Sequence, residues 1–450
     1  MNLLILLLGI IFLLLLIIKF KLNTYISLVL TAILVAAGLG MPLTKIATSV
    51  QDGIGSQLGN LAIVFGFGAI IGRLVADAGG AYRIAHTLIA KFGKKRLQFA
   101  VVLASFIIGI ALFFEVGIVL LVPIVFAIAT EARVPILCLG LLIRDPLSDT
   151  PGFFPRHPEP TAISDVLGAN AGSVLVYGMI IAIPTVYIAG PLFSKIARKL
   201  VPSAFTRKGN LSALGKPKKF ILAETPSFGI STLTSLFPVV LMAITTIYQL
   251  VFTGGELPKN PSALDSTIAF IGTPSIAMTI SLLFALYTMG LRRKIKMAEI
   301  NQTVESAIKS IAMLLLIIGG GGAFKQILID GGVGDTIRNL FIGSNLSPLL
   351  LGWVIASLLR IALGSATVAA LTAAGLVAPL MAASGVNPAL MVLAIGAGSV
   401  IASHVNDAGF WMIREYFDLT IKETLLTWTV LETLIAICGL IGVLILDLFI

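Results

Sequence analysis

Charged and hydroxyl side chains interrupt one apolar stretch in the second half of the chain. It reads LLRIALGSATVAALTAAG at residues 358–375, where Arg360 stands among aliphatic residues and Ser365 and Thr367 follow Gly364, at which we predict a helix break. A guanidinium group close to the ends of interrupted helices suits an anionic or polyhydroxylated solute, because it donates several hydrogen bonds in a fixed geometry. The other interpretation is an arginine that extends to the membrane surface or forms a structural ion pair.

A second group of polar side chains follows in SVIASHVNDAGFW at residues 399–411. Its members are Ser403, His404, Asn406 and Asp407. Polar groups inside a membrane protein are costly unless they face a cavity or one another, so we predict that His404, Asn406 and Asp407 bind substrate. The alternative for His404 is a histidine that is hydrogen-bonded between two helices.

The counterpart of this segment in the first half is proline-rich. It reads DTPGFFPRHPEPTA at residues 149–162 and contains His157, which we predict to be a further substrate-binding residue. A histidine in an ordinary loop is the alternative. With only three histidines in the chain, and with Cys138 and Cys438 both in apolar stretches, we predict no metal site, no disulfide and no cofactor.

One carboxylate is the candidate group for binding a transported proton. Glu115 lies in IALFFEVGIVLLVPIV at residues 110–125, beside a helix break predicted at Gly117. An apolar setting favours the neutral form of a carboxyl group, which suits reversible protonation. A structural glutamate that hydrogen-bonds to a neighbouring helix is the alternative, and Glu432 in the last apolar stretch is the competing proton-binding residue.

The elements that position these residues must be membrane helices. Of the 450 residues, 58% are hydrophobic and 12% charged, and the mean hydropathy is +1.05, which is too apolar for a soluble protein of this size. Apolar stretches without strict alternation occupy residues 3–18, 24–41, 59–76, 98–130, 172–193, 231–252, 275–290, 308–329, 348–381, 388–403 and 425–450. Their lengths favour helices that cross a bilayer, and the first lacks the features of a cleaved signal peptide. The fold class predicted is an all-α polytopic membrane protein.

The formal charge of +10 comes mainly from basic clusters beside these stretches. The clusters lie at residues 91–96, 195–219 and 292–296. Basic loops next to membrane spans usually face the cytoplasm, so the lipid bilayer, and not nucleic acid, is the predicted partner of this charge.

The two halves of the chain repeat one another. LAIVFGFGAIIGRLVADAGG at residues 61–80 aligns with LLLIIGGGGAFKQILIDGGV at residues 314–333, so that Asp77 and Asp330 match at an offset of 253 (330 − 77). The loop after Asp77 is basic and its counterpart is not, which predicts repeats of inverted topology with broken or re-entrant helices. For the glycine run at residues 319–322 we expect a helix break or close packing and not a nucleotide loop. The predicted organisation is a first transmembrane repeat at 1–200, a basic cytoplasmic linker at 201–228 and a second, inverted repeat at 229–450.

Together these segments resemble the gluconate permease family of proton-coupled sugar-acid transporters, within the broader group of ion transporters with inverted repeats and re-entrant hairpins. The resemblance covers nearly the whole chain. The segments that match the family pattern are GFGAIIGRLVADAGGAYRIA at 66–85, IAKFGKK at 89–95, FIIGIALFFEVGIVL at 106–120, LLIIGGGGAFKQILIDGGVGD at 315–335, LRIALGSATVAALTAAG at 359–375 and GAGSVIASHVNDAGFW at 396–411.

One segment departs from the family pattern. Where the family typically reads MAAALSVTHGFLPPHPGPTA, residues 142–162 read LIRDPLSDTPGFFPRHPEPTA. Arg144, Asp145 and Asp149 bring charge into a stretch that is usually small and apolar, and Pro151 stands where the family has a histidine. The prolines around the histidine at position 157 are kept.

The resemblance implies a symporter of the bacterial inner membrane that moves gluconate or a related small anionic sugar acid inward with a proton; it leaves open a homo-oligomer. A permease for D-serine or another small hydroxy or amino acid is the alternative within the family. An intramembrane enzyme that uses Glu115, His404 and Asp407 as acid and base groups is the alternative of another class, and the absence of a catalytic motif disfavours it. A channel is disfavoured because paired broken helices indicate an occluded site at the midplane.

Overall fold

The computed structural model describes residues 2–111, 114–154, 158–207, 220–253, 260–339 and 347–450, and the regular structure of these ranges is helical. The helices are α1 (Asn2–Leu14), α2 (Thr24–Gly38), α3 (Leu43–Asp77), α4 (Gly80–Ala111), α5 (Phe114–Ala132), α6 (Ile136–Phe153), α7 (Pro158–Leu167), α8 (Ala171–Tyr187), α9 (Phe193–Leu200), α10 (Phe228–Phe252), α11 (Ala263–Gly272), α12 (Pro274–Ala285), α13 (Met297–Asp330), α14 (Val333–Asn339), α15 (Pro348–Leu363), α16 (Ala366–Ser384), α17 (Pro388–Ser399), α18 (Ala408–Phe417), α19 (Ile421–Thr424) and α20 (Val430–Asp447).

Seven helical segments of the described chain are long and apolar enough to cross a membrane. They are Asn2–Lys19, Leu43–Asp77, Gly172–Leu200, Phe228–Gln249, Pro274–Arg293, Met297–Asp330 and Ile421–Asp447. Further apolar helices, α15 and α17 among them, are shorter, with 10–17 residues. The predicted polytopic helical fold is confirmed, and several predicted apolar stretches prove to be parts of longer helices or pairs of shorter ones.

Two of the predicted apolar stretches are divided between consecutive helices. The stretch at 98–130 is shared by α4 and α5, and the stretch at 348–381 by α15 and α16. The break predicted at Gly117 is wrong, because α5 runs through that residue. A Cβ atom there would lie 2.6 Å from Cδ2 of Leu147, so the glycine serves close packing between α5 and α6.

The long helices α3 and α13 pack against each other in antiparallel directions. Gly53 near the start of α3 meets Gly322 near the end of α13, where a Cβ on either glycine would lie 2.4 Å from the carbonyl oxygen of the other. At the opposite end, Thr303 Oγ1 donates a hydrogen bond of 3.3 Å to Asp77 Oδ2. The glycine run at 319–322 therefore permits close packing, and α13 continues through it without a break.

Helix starts recur between the two halves at nearly the offset of the sequence match. Gly80 and Val333, which begin α4 and α14, are 253 residues apart (333 − 80). An offset of 252 separates the starts of α6 and α17 (388 − 136). The glycines before α4 and α14, Gly79 and Gly332, both have left-handed backbone, with φ of 81° and 69°. The inverted relation of the halves stays a prediction, as do the predicted boundaries of the repeats and linker.

The short helix α17 occupies the interior of the molecule. Every residue from 389 to 399 is buried, as expected for a helix that is apolar around its whole circumference. It packs against α15, α16 and α20, and it crosses α6 at two glycines. A Cβ on Gly396 would lie 2.0 Å from the carbonyl oxygen of Gly152, so these backbones are in direct contact. This crossing joins the two halves next to the segments that carry the predicted site.

Candidate functional site

The site begins where α15 ends. Gly364 follows the last residue of α15 with φ of 72° and ψ of 10°, a left-handed conformation in which a side chain is strained. A Cβ there would also lie 2.2 Å from the carbonyl oxygen of Asn406. Glycine is thus required at this position both by the backbone turn and by the approach of a second chain segment. The sequence prediction of a helix break here is correct.

The segment at residues 400–407, between α17 and α18, lies against this helix end. Asn406 Nδ2 donates hydrogen bonds to the carbonyl oxygens of Ile361 and Ala362, at 2.8 Å and 3.2 Å. His404 Nε2 lies 2.9 Å from the same Ile361 oxygen. Carbonyl groups in the last turn of a helix lack hydrogen-bond donors within the helix. The side chains of Asn406 and His404 take the place of these missing partners. The contacts fix the non-helical segment onto α15.

A buried ion pair forms the centre of the site. Arg360 Nη2 donates to Asp407 Oδ2 at 2.6 Å, and the two side chains are only 6% and 14% exposed. The same Oδ2 accepts a hydrogen bond from Ser403 Oγ. Asp407 also caps α18, because its Oδ1 accepts the backbone N–H of Gly409 at 3.2 Å. Arg360 is therefore a cation held in the interior by a carboxylate that is itself well oriented.

The helix α16 points its N-terminus at the same break. Ser365 is its N-cap, and the side-chain oxygen accepts the N–H of Val368 at 3.4 Å. Thr367, in the first turn, is exposed. A helix N-terminus carries partial positive charge and favours anions, which agrees in sign with the nearby Arg360. The structure thus brings Arg360, Ser365, His404, Asn406 and Asp407 to one region, with Thr367 on its exposed border.

Two aromatic rings connect this region to the first half of the chain. Trp428 Nε1 donates to Ser403 Oγ at 2.6 Å, and the ring of Phe114 stacks on Trp428 with centroids 5.3 Å apart. Sequence reasoning missed both rings. The sequence feature that could have indicated Trp428 is a tryptophan between threonines, LLTWT at residues 425–429. An indole N–H buried in an apolar span needs a hydrogen-bond acceptor, so such a tryptophan is expected to contact a polar group.

Of the predicted site residues, His157 lies outside the described residues, and Glu115 is described as part of α5 but without its side chain. Glu115 directly follows Phe114, whose ring contacts Trp428, so the start of α5 reaches the same region as the Arg360 pair. The competing carboxylate, Glu432, is 1% exposed and its Oε1 accepts a hydrogen bond of 2.6 Å from Ser148 Oγ on α6.

Sequence reasoning also passed over a basic residue within a membrane-spanning helix. Lys325, in α13, donates a hydrogen bond of 3.3 Å to Gln57 Oε1 on α3. The lysine is half-buried and lies one turn beyond the glycine contact of these two helices. The signal was a lone basic residue in an apolar stretch, which is costly in lipid and usually has a partner.

Comparison with known proteins gives consistent matches along the full chain. The sequence profile of the GntP family permeases matches residues 1–449. A permease of Bacillus subtilis (strain 168) named YojA is 60% identical over 440 residues, covering 98% of each chain. The gluconate permease of Bacillus licheniformis is 56% identical over 450 residues and 100% of both chains. The Gnt-II system L-idonate transporter of Escherichia coli (strain K12) is 49% identical over 444 residues, covering 99% of this chain and 98% of its own.

The matched profile and these relatives describe permeases, which agrees with a polytopic helical fold and a polar site at broken helices. The intramembrane enzyme is thereby set aside in favour of transport. The family resemblance noted in the sequence is confirmed over its whole length. The chain belongs to the GntP family of permeases and is a multi-pass transporter of the bacterial inner membrane.

Proposed function

We propose that the chain carries gluconate, or a closely related sugar acid, into the cell together with a proton. The observation that carries the proposal is the buried Arg360, which lies at a helix break and is held by a carboxylate at 2.6 Å. A guanidinium group that already binds one carboxylate in a low-dielectric site is suited to bind another. The names of relatives at 56% and 49% identity, a gluconate permease and an L-idonate transporter, support a sugar acid as the cargo.

In the proposed bound state the substrate carboxylate takes the place of Asp407 on Arg360. The N-terminus of α16 and the polar groups of residues 403–406 then surround the hydroxylated carbon chain, and His157 adds a contact from the first half. A monoanion with several hydroxyl groups can bind Arg360 through its carboxylate, while its hydroxyl groups hydrogen-bond to the neighbouring polar groups and to the displaced carboxylate of Asp407. An amino acid such as D-serine has an ammonium group as well, and it would need Asp407 or another carboxylate as a second partner.

For the proton we propose Glu115 as the binding group. The proposal rests on its position next to Phe114, whose ring lies against Trp428 beside the Arg360 pair. A carboxyl that alternates between a protonated and a deprotonated form can link substrate movement to a proton gradient.

Uptake into proteoliposomes tests the proposed function. Purified protein is reconstituted, and labelled gluconate is added with and without an inward proton gradient. We expect accumulation above the external concentration only with the gradient, and its loss when a protonophore is added. Unlabelled L-idonate should compete with the label, whereas D-serine should not. Equal uptake with and without the gradient would contradict proton coupling, and competition by D-serine alone would contradict a sugar acid as the cargo.

We further propose that the two halves have inverted topology. The antiparallel packing of α3 on α13 supports this, because these helices match in sequence, and an inverted repeat reverses matched helices across the membrane. The sequence predicted loops after α3 and α13, but the basic residues 91–96 lie within α4, beside a kink at Gly93, and the segment after α13 is α14. The difference in charge between these two segments supports the same arrangement. In this proposal the linker at 201–228 lies on the cytoplasmic side, where Arg207 pairs with Glu423 at 3.1 Å.

Labelling of single cysteines tests the inversion. In a protein with Cys138 and Cys438 replaced by alanine, Lys91→Cys and Asp335→Cys each place one thiol at an exposed position beyond a matched helix. We expect an impermeant thiol reagent to label Asp335→Cys in intact cells and Lys91→Cys only after the membrane is opened. Reaction of both thiols from one side would rule out the inversion.

A further inference from the structure

The amide group of Asn406 is buried and fixed in orientation. The residue is 2% exposed, and its nitrogen donates to the carbonyl oxygens of Ile361 and Ala362. Both partners can only accept hydrogen bonds, so the nitrogen must face them. A flipped amide would place its oxygen against two further acceptors, which excludes the opposite assignment. The fold therefore determines where the side-chain oxygen points.

That oxygen, Oδ1, has no hydrogen-bond partner among the residues that the structure describes. A buried acceptor without a donor destabilises a protein, and native structures rarely keep one without a reason. The hydroxyl of Ser357, also buried without a partner, can rotate towards a new acceptor. The Asn406 oxygen has no such freedom, because the nitrogen of the same planar amide is held at the end of α15.

The position of Asn406 relates it to the anion site. It is the neighbour in the chain of Asp407, which holds Arg360, and both side chains meet the last turn of α15. The two carbonyl groups that hold the amide of Asn406 belong to Ile361 and Ala362, the residues that directly follow Arg360 in α15. A ligand with its carboxylate on Arg360 can thus extend a hydroxyl group towards Asn406.

We propose that Asn406 Oδ1 accepts a hydrogen bond from a hydroxyl group of the bound acid and thereby selects hydroxylated over deoxygenated acids. This inference rests on the proposed function, since it takes the carboxylate to be bound at Arg360. Asn406 is enclosed in the present conformation, so the hydroxyl group reaches it after the site has opened to one side. A site that is built to accept from a hydroxyl discriminates strongly against an analogue without that group, because the acceptor is then left unpaired.

A panel of monodeoxy gluconates, each without a different hydroxyl group, tests the inference on the unaltered protein. The measurement is competition with labelled gluconate for the purified full-length transporter. We expect one of the deoxy acids to bind at least about tenfold more weakly than gluconate. A panel in which every deoxy acid binds like gluconate overturns the inference while leaving the proposed function intact. If gluconate itself does not bind, both are overturned.

The variant Asn406→Ala identifies the residue responsible. Gluconate should bind more weakly to it, and the affinity ratio between gluconate and the discriminated deoxy acid should fall to about one. If Asn406 had only a structural role, its replacement would lower the affinity for both acids equally and leave the ratio unchanged. That result would overturn the assignment. Asn387→Ala is the matched control, because Asn387 also holds a helix end, by accepting the N–H of Ala389 at 2.9 Å, and it should keep the ratio. Should Asn406→Ala fold poorly, Asn406→Leu, which fills a similar volume without the amide oxygen, replaces it in the same measurement with the same expected ratio.

Discussion

Replacing Arg360 by alanine is expected to raise the KM for gluconate on the order of 100-fold, with the protein still inserted in the membrane. The guanidinium group donates to a carboxylate in a buried setting, where charge-assisted hydrogen bonds are strong. Arg360→Lys keeps the charge but loses the forked geometry, so its KM should lie between those of the alanine variant and the unaltered protein. The measurement is initial uptake into proteoliposomes over a range of gluconate concentrations.

Two further variants separate binding from stability in this experiment. Arg360→Ala leaves Asp407 buried without its cation, which can destabilise a protein by about 3–5 kcal/mol. The double variant Arg360→Ala with Asp407→Asn removes that isolated charge and should still bind gluconate weakly. Arg292→Ala replaces an exposed arginine distant in sequence from the site and should leave KM unchanged. Normal gluconate affinity in Arg360→Ala would remove Arg360 from the binding site.

Glu115→Gln is expected to abolish accumulation of gluconate against its concentration gradient. A glutamine cannot bind a proton on one side of the membrane and release it on the other, so a proton gradient can no longer drive uptake. Exchange of internal for external gluconate should persist, since exchange does not require the empty carrier to return. The measurement is paired: proton-driven accumulation and counterflow in the same reconstituted preparation.

Glu131→Gln is the matched control for this variant. Glu131 lies at the other end of the same helix, α5, and is exposed, so that its replacement should leave both activities unchanged. Loss of both activities in Glu115→Gln would indicate a structural glutamate. Retention of both would transfer the coupling role to Asp407, His404 or Glu432.

The local chemistry of the sequence was enough to predict the break between α15 and α16. Gly-Ser-Ala-Thr at residues 364–367 contains a residue for a left-handed turn followed directly by a good helix N-cap, and the structure uses Gly364 and Ser365 in these ways. The same reasoning was wrong at Gly117. A glycine inside a helix can serve packing instead of a turn, and the choice depends on a neighbour, here Leu147, that lies distant in the sequence.

Pairing between distant segments could not be predicted in this way. Arg360 and Asp407 were each recognised as polar residues in apolar surroundings, but nothing local to either shows that they form one ion pair across 47 positions. Trp428 was missed for the same reason, since its role depends on Ser403 and on the ring of Phe114 from the other half. Periodicity and composition predict helices and their ends, whereas the identity of partners is set by how the helices pack.

The contact between Gly53 and Gly322 has a consequence for how this chain can change over generations. With about 2.4 Å between each absent Cβ and the opposite carbonyl oxygen, no side chain larger than hydrogen fits at either position unless the helices move apart. Each half therefore forms part of the environment in which substitutions in the other half are tolerated or eliminated. The two halves can accumulate different residues on their lipid-facing surfaces, but along this line of contact they must change together or not at all.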